Sequence, residues 1–209
     1  MKNYSNKYML LYALGLSAVV AILLTVVSVS LKARQTRNQQ AETKQMILKT
    51  IGIEASRENA EVLYSEHIKD TGTSKGLPYY KYSHGIILPM NGNGLWGPIW
   101  GYLALDSTMT VVGAVFDHQG ETPGLGAEIA TDKFANLFVG KKMDEHPIIL
   151  IKNPEMSSDY VVDALSGATM TCNGVNDMLI KAYNQYSDLF FMCENSQDTT
   201  TLTMEEEEL

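Results

Sequence analysis

The sequence predicts an α+β protein, with an N-terminal single transmembrane helix and a soluble domain built on a small curved, largely antiparallel sheet with flanking helices. Three observations predict it. A charge-free apolar run near the N-terminus is long enough to cross a bilayer. Short β-branched and aromatic runs between residues 84 and 118 alternate with Gly, Pro and Asp-Ser-Thr breaks, the pattern of strands and turns. Outside that block, apolar residues recur at helical spacing.

The first element is Met9 to Leu31, MLLYALGLSAVVAILLTVVSVSL, 23 residues without a charge. A bilayer core needs about 20. A cleaved signal peptide is the competing reading, with Lys2 and Lys7 as its basic end. Such a segment has an apolar core of about 7–15 residues followed by a small-residue cleavage site. This run is longer and meets Lys32, Arg34 and Arg37 instead, so an uncleaved anchor is expected. Basic residues on both flanks leave the positive-inside rule undecided.

Gln39 to about Leu63 is rich in Glu, Lys, Gln and Ala, with apolar Met46, Ile47, Ile51 and Ile53, and reads as an amphipathic helical stalk. Asp70 to Pro78, DTGTSKGLP, reads as a loop. HGIILPM, IWGYLALD and MTVVGAVFDH then read as strands, Ala127–Val139 as a helix, and IILIK after Pro147 as a short strand. A last helix is expected from Asn173 to Phe190, with Val175, Met178, Leu179, Ala182 and Tyr186 on its buried side. The expected divisions are 1–38 for tail and anchor, 39–75 for the stalk, 76–192 for the functional domain and 193–209 for an acidic tail.

Net charge is −8 and the pI about 5.0, which argues against nucleic acid as a partner. Glu205–Glu208 is expected to be a solvated tail. Two cysteines, Cys172 and Cys193, make neither a disulfide scaffold nor a four-thiolate metal site. Four histidines are scattered without ligand spacing, so no metal site is expected. No G-x-S-x-G nucleophile elbow occurs. Gly92-Asn-Gly94-Leu-Trp-Gly97 matches G-x-G-x-x-G in letters, yet a dinucleotide fingerprint must open a helix, and here a Pro-interrupted strand follows.

Two stretches carry chemistry. His118-Gln-Gly-Glu-Thr-Pro-Gly-Leu-Gly126 joins a strand to a helix through three glycines and a proline, which suits either a plain connection or a loop that hugs a flat or phosphorylated ligand. DALSGATMTCNGV at 163–175 is denser in signal. Ser166, Thr169 and Thr171 supply hydroxyls, Gly167 and Ala168 leave room beside them, and a helix N-terminus follows. Free amides and the positive dipole end make such a terminus an anion site. Thr171 or Asn173 capping that helix is the plain alternative. A cap leaves Ser166 to Thr169 unexplained.

Ser166-Gly-Ala-Thr169, continued by Met-Thr-Cys-Asn-Gly-Val175, resembles the flavinylation motif of FMN-binding domains in ion-pumping respiratory complexes. Glu121-Thr-Pro-Gly-Leu-Gly126 is similar to that family's second signature. Two branches compete: NqrC of the sodium-translocating NADH:quinone reductase and RnfG of the Rnf-type ferredoxin:NAD oxidoreductase. GLWGPIWGYLALD at 94–106 and Asn173-Gly174 favour the first. The departures are Cys172, where a serine is usual, and a short chain between stalk and sheet.

The resemblance implies FMN joined by a phosphoester to Thr169, with Ser166, Gly167, Ala168 and Thr171 shaping the phosphate site. It implies that Glu121, Thr122 and Leu125 line the isoalloxazine, that Trp96 packs near it, and that Asp163 helps a separate flavin transferase recognise the site. The protein would then be an electron carrier of a sodium-pumping, quinone-reducing complex. Its place would be the cell inner membrane, with the N-terminus cytoplasmic and the FMN domain periplasmic. It would relay electrons between an iron–sulfur centre in the membrane subunits and a second covalent flavin on a neighbouring subunit. A membrane-anchored binding module without redox cofactor is the alternative.

Overall fold

The computed structural model describes residues 6–154 and 158–204, with side chains of the final helix described as far as Phe190. The acidic tail Glu205–Glu208 lies outside the described residues. The chain forms two compact units, one ending at Thr43 and one beginning at Lys44.

In the first unit, helix α1 (Asn6–Thr50) carries the apolar run. Every residue from Asn6 to Gln40 is exposed, Leu, Ile and Val included. A helix that is apolar all round must bury itself in something other than water. By length and composition it can cross a membrane.

In the second unit α1 stops at Thr50, whereas the expected stalk helix continued to about Leu63. The amide of Gly52 donates to the Lys49 carbonyl and that of Ile53 to the Leu48 carbonyl, both at 3.0 Å, with Gly52 at φ +78°. That is a Schellman cap, and the glycine reaches the left-handed region without a Cβ penalty. The stalk sequence hides it because Ile-Gly-Ile still fits an apolar helix stripe. A separate short helix, α2 (Ala60–His67), follows.

The expected loop at 70–78 is instead a hairpin of β1 (Asp70–Ser74) and β2 (Leu77–Tyr82). Lys75 and Gly76, at φ 49° and 80°, form its two-residue turn, the backbone that matches strand twist. Asp, Thr, Gly and Ser give β1 no apolar alternation, and most of them are poor strand formers, so it has no sequence signal of its own. Pairing supplies what propensity lacks: Gly72 faces Tyr79, whose ring fills the space a Cβ would need. Lys75 Nζ also donates to Ser187 Oγ at 2.8 Å, fastening the turn to the last helix.

β3 (Gly85–Asn93), β4 (Pro98–Asp106) and β5 (Val111–His118) complete an antiparallel meander in the order β1-β2-β3-β4-β5. Strand alternation sends residues to two different cores. Leu88, Met90, Leu103 and Leu105 join the main core. Ile87 and Ala104 turn the other way, against Ile47 and Ile68 from the end of α1 and the segment after α2. Both faces of the sheet are therefore covered.

The expected helix at 127–139 is three short pieces: a 3-10 turn (Gly126–Ala130), α3 (Asp132–Ala135) and another 3-10 turn (Asn136–Phe138). Thr131 breaks it, extended at φ −88° and ψ 149°, with its hydroxyl accepting from the Phe134 amide as a cap. The segment still delivers its apolar face. Phe134 and Phe138 pack on Phe116 with ring centroids 5.4 and 4.9 Å away. β6 (Ile149–Ile151) pairs in parallel with β7 (Val161–Asp163), a strand too short to announce itself.

Helix α4 (Thr169–Met204) closes the main core. Its expected face is buried as spaced, with Val175, Met178, Leu179, Ala182 and Tyr186 each at most 2% exposed. Cys172 is a free, buried thiol, and burial pushes its pKa up. Cys193 stands on the same helix. A separation of 21 residues along one helix is about 30 Å, beyond disulfide reach.

Candidate functional site

The β3–β4 turn, the segment after β5 and the start of α4 meet at one end of the sheet, around a cavity of about 210 Å³. Of the expected site residues, Trp96, Glu121, Thr122, Leu125, Gly167, Ala168, Thr169 and Thr171 line it. Ser166 does not; it is exposed in the turn just before. Leu95, Gly126 and Met170 also line the cavity and were not singled out from sequence. Each is a direct neighbour of a residue that was, so adjacency was the available signal.

α4 begins at Thr169, four residues before the expected Asn173. The first intrahelical bond runs from the Cys172 amide to the Ala168 carbonyl at 2.9 Å. The amides of Thr169, Met170 and Thr171 therefore precede the helix ladder, where an anion finds unspent donors and the positive dipole end. Neither expected cap is used: Asn173 is exposed inside the first turns, and the Thr171 hydroxyl points elsewhere. Threonines are weak helix formers, which made this turn read as a lead-in.

The two threonines differ sharply in environment. Thr169 is exposed at the first helical position. Thr171 is 2% exposed and donates its hydroxyl to Glu121 Oε2 at 2.6 Å. Around Thr169 the cavity rim is apolar and open: Trp96 is 69%, Met170 58%, Leu95 52% and Leu125 44% exposed. Such a rim suits a flat, partly apolar ligand whose anionic end meets the helix terminus.

Glu121 is 4% exposed, and its other oxygen, Oε1, accepts from the Trp96 amide at 2.8 Å. Its own amide donates to His118 Nδ1 at 3.3 Å. Burial alone would push the carboxyl up, but the bonds from Thr171, Trp96 and the Gly97 amide, with nearby His118, outweigh it and hold the pKa below the usual carboxylate range. A group with a depressed folded pKa stabilises the fold above its unfolded pKa, about 4.3 for Glu. That contribution disappears as pH falls through the folded value. Glu121→Gln is therefore expected to lower stability at pH 7 and to flatten the loss of stability below about pH 4. Urea unfolding midpoints measured across that range check it; parallel curves for parent and variant would contradict it.

The glycines of the G-x-G-x-x-G match serve packing here. A Cβ on Gly97 would lie 2.0 Å from the Gln119 carbonyl oxygen, and one on Gly94 would lie 2.5 Å from Glu121 Oε1. No helix follows them; β4 does.

Residues 94–184, which contain this whole site, match the FMN-binding domain family. Over 231 aligned residues the chain is 30% identical to the NqrC component of the Na(+)-translocating NADH-quinone reductase of Vibrio parahaemolyticus, spanning 83% of this chain and 88% of that one. The chain belongs to the NqrC family. Of the two branches weighed from the motifs, it falls with the first, as one component of an oxidoreductase complex. The crystal structure of the same component from Parabacteroides distasonis is 33% identical, with a TM-score of 0.65, over 77% of this chain and 96% of that one. NqrC of Shewanella oneidensis, 19% identical with a TM-score of 0.62, shares the fold. The long apolar helix α1 fits a membrane-associated member of the NqrC family.

Proposed function

We propose that this NqrC family member carries FMN covalently, through a phosphoester to Thr169, and relays electrons within its sodium-pumping NADH:quinone reductase. One observation carries the reading: of the hydroxyls in the motif, that of Thr169 is exposed at a helix N-terminus on the wall of an open, apolar-rimmed cavity, while Thr171 is committed to a buried carboxylate.

The residues fit the cofactor's parts. The amides of Thr169, Met170 and Thr171 hold and neutralise a phosphate. Gly167, at φ +81°, and Ala168 leave room for that phosphate; a Cβ on Gly167 would already lie 3.0 Å from Leu125 Cδ2. Leu95, Trp96, Leu125 and Met170 offer apolar surface to the isoalloxazine and keep water from it. The Thr122 carbonyl, accepting from the Leu125 and Ala127 amides at 3.1 Å, fixes the turn that presents Leu125. FMN supplies the electron-transfer chemistry when bound, and the protein supplies position and electrostatics.

In this reading a separate flavin transferase makes the bond, with Asp163, exposed just ahead of the motif in the chain, as part of its recognition element. α1 anchors the domain in the inner membrane, N-terminus cytoplasmic and flavin domain periplasmic. Electrons pass from an iron–sulfur centre in the membrane subunits to a second covalent flavin on a neighbouring subunit. Anchoring raises the local concentration of carrier at both partners. Intact mass of the chain from its native host is expected to exceed the sequence mass by one FMN less one water, with peptide mapping placing the adduct on Thr169. A colourless chain of unmodified mass, purified with the transferase present, would overturn the reading in favour of a binding module without cofactor.

A further inference from the structure

We propose that Glu121 is a positioning residue of the flavin site: its carboxylate is the strut that fixes the Trp96 loop to the helix turn carrying Thr169. The inference rests on the reading of Thr169 as the attachment point, and it assigns Glu121 a task other than touching the isoalloxazine.

Three segments distant in sequence meet on this one side chain. Trp96 lies 25 residues before Glu121 and Thr171 lies 50 after it, and each bonds a different carboxylate oxygen, at 2.8 and 2.6 Å. Trp96 is 69% exposed and Leu95 beside it 52%, so these two side chains do little to pack the tip of that loop in place. The tip is attached through its backbone: the Gly94 amide donates to the Gly97 carbonyl at 2.8 Å, and the Trp96 and Gly97 amides donate to Glu121.

The slot for the carboxylate is cleared by glycine on both sides. A Cβ on Gly94 would lie 2.5 Å from Oε1, and one on Gly126 would lie 2.4 Å from Oε2 and 2.5 Å from Thr171 Oγ1. Neither glycine has the positive φ that would require it for backbone reasons. Steric room for this bridge accounts for both. On the far side, Thr171 is the third residue of α4, two after Thr169. A bond that holds Thr171 holds the turn bearing Thr169. The strut thus sets the aromatic face and the phosphate end of the site relative to each other.

Side-chain chemistry separates this role from general stability. Glutamine keeps the reach: its carbonyl accepts from the Trp96 amide while its NH₂ donates to Thr171 Oγ1. Aspartate keeps the charge but is one methylene short and cannot hold both partners. Thr171→Val removes one partner without changing shape.

The test uses the full chain in detergent, co-expressed with the flavin transferase, in a Trp100→Phe background that leaves Trp96 as the sole tryptophan. Fluorescence anisotropy of Trp96 reports the loop, and the emission yield of the covalently bound flavin reports its packing. Glu121→Asp and Thr171→Val are expected to lower Trp96 anisotropy and to raise flavin emission, and Glu121→Gln to restore both to near the parent values. The Glu121→Asp/Thr171→Val double variant is expected to fall no further than either single one, because both break the same link. Unchanged Trp96 anisotropy in folded Glu121→Asp, or additive losses in the double variant, would overturn the proposal. Should peptide mapping find Thr169 unmodified while the Trp96 pattern persists, the flavin reading fails and the strut stands.

Discussion

Thr169→Val abolishes covalent flavin in the purified chain: no fluorescent band after denaturation, and an intact mass equal to that of the polypeptide alone. The side chain is exposed at the first residue of α4, so exchanging hydroxyl for methyl touches no core contact. Surface changes of this kind stay within about 0.5 kcal/mol of the parent stability. Loss of flavin then reports lost chemistry and not lost fold. Thr171→Val provides the contrast. Its hydroxyl belongs to Glu121, so this variant keeps a flavin adduct on Thr169 while its site loosens. Flavin retained on Thr169→Val through denaturation would refute the attachment point, and an adduct mapped to residue 171 would move it.

The second large effect lies at Gly174. A Cβ there would lie 2.1 Å from the Asn93 carbonyl oxygen and 3.3 Å from Gly94 Cα. Both obstacles are backbone, so no side chain can rotate aside. In an exposed helix Gly→Ala gains about 1 kcal/mol. Overpacking a close contact costs about 1–3 kcal/mol and occasionally more, and a clash this deep sits at the top of that range. Gly174→Ala is therefore expected to destabilise by roughly 2 kcal/mol net, lowering Tm by roughly 4–8 °C. The displacement is also directional. Moving α4 away from the end of β3 pulls Thr171 from Glu121 and unsettles the Gly94–Gly97 turn, so the flavin site is disturbed along with stability. Thermal unfolding of the full chain followed by circular dichroism decides it; a midpoint equal to the parent's would refute the close-approach account.

Much of the architecture was legible because it rests on local pattern. The anchor is a matter of length and lack of charge. The inner face of α4 is a matter of 3.6-residue spacing, and Val175, Met178, Leu179, Ala182 and Tyr186 are buried accordingly. β3, β4 and β5 announced themselves by β-branched runs. Differences fell where a long-range contact or one residue's backbone state overrides the local pattern. β1 has the composition of a loop and becomes a strand because β2 pairs with it and Tyr79 covers Gly72. The break at Ile51-Gly52 and the one at Thr131 each depend on a single residue's backbone state, which an apolar stripe does not reveal.

The site divides in the same way. Sequence by itself singled out SGATMTCNG, where glycine, hydroxyls and a helix start exceed what a cap needs, and left ETPGLG open between a plain connection and a ligand loop. It also placed Thr169 and Thr171 two residues apart with equal chemistry. Only the tertiary structure separated them. At the first turn of α4 a two-residue step rotates the side chain through about 200°. Both line the cavity, but Thr169 is exposed there while Thr171 is buried with its hydroxyl on a carboxylate arriving from residue 121. That carboxylate is buried, and its partners lie 25 and 50 residues away, so no local pattern could reveal what it joins.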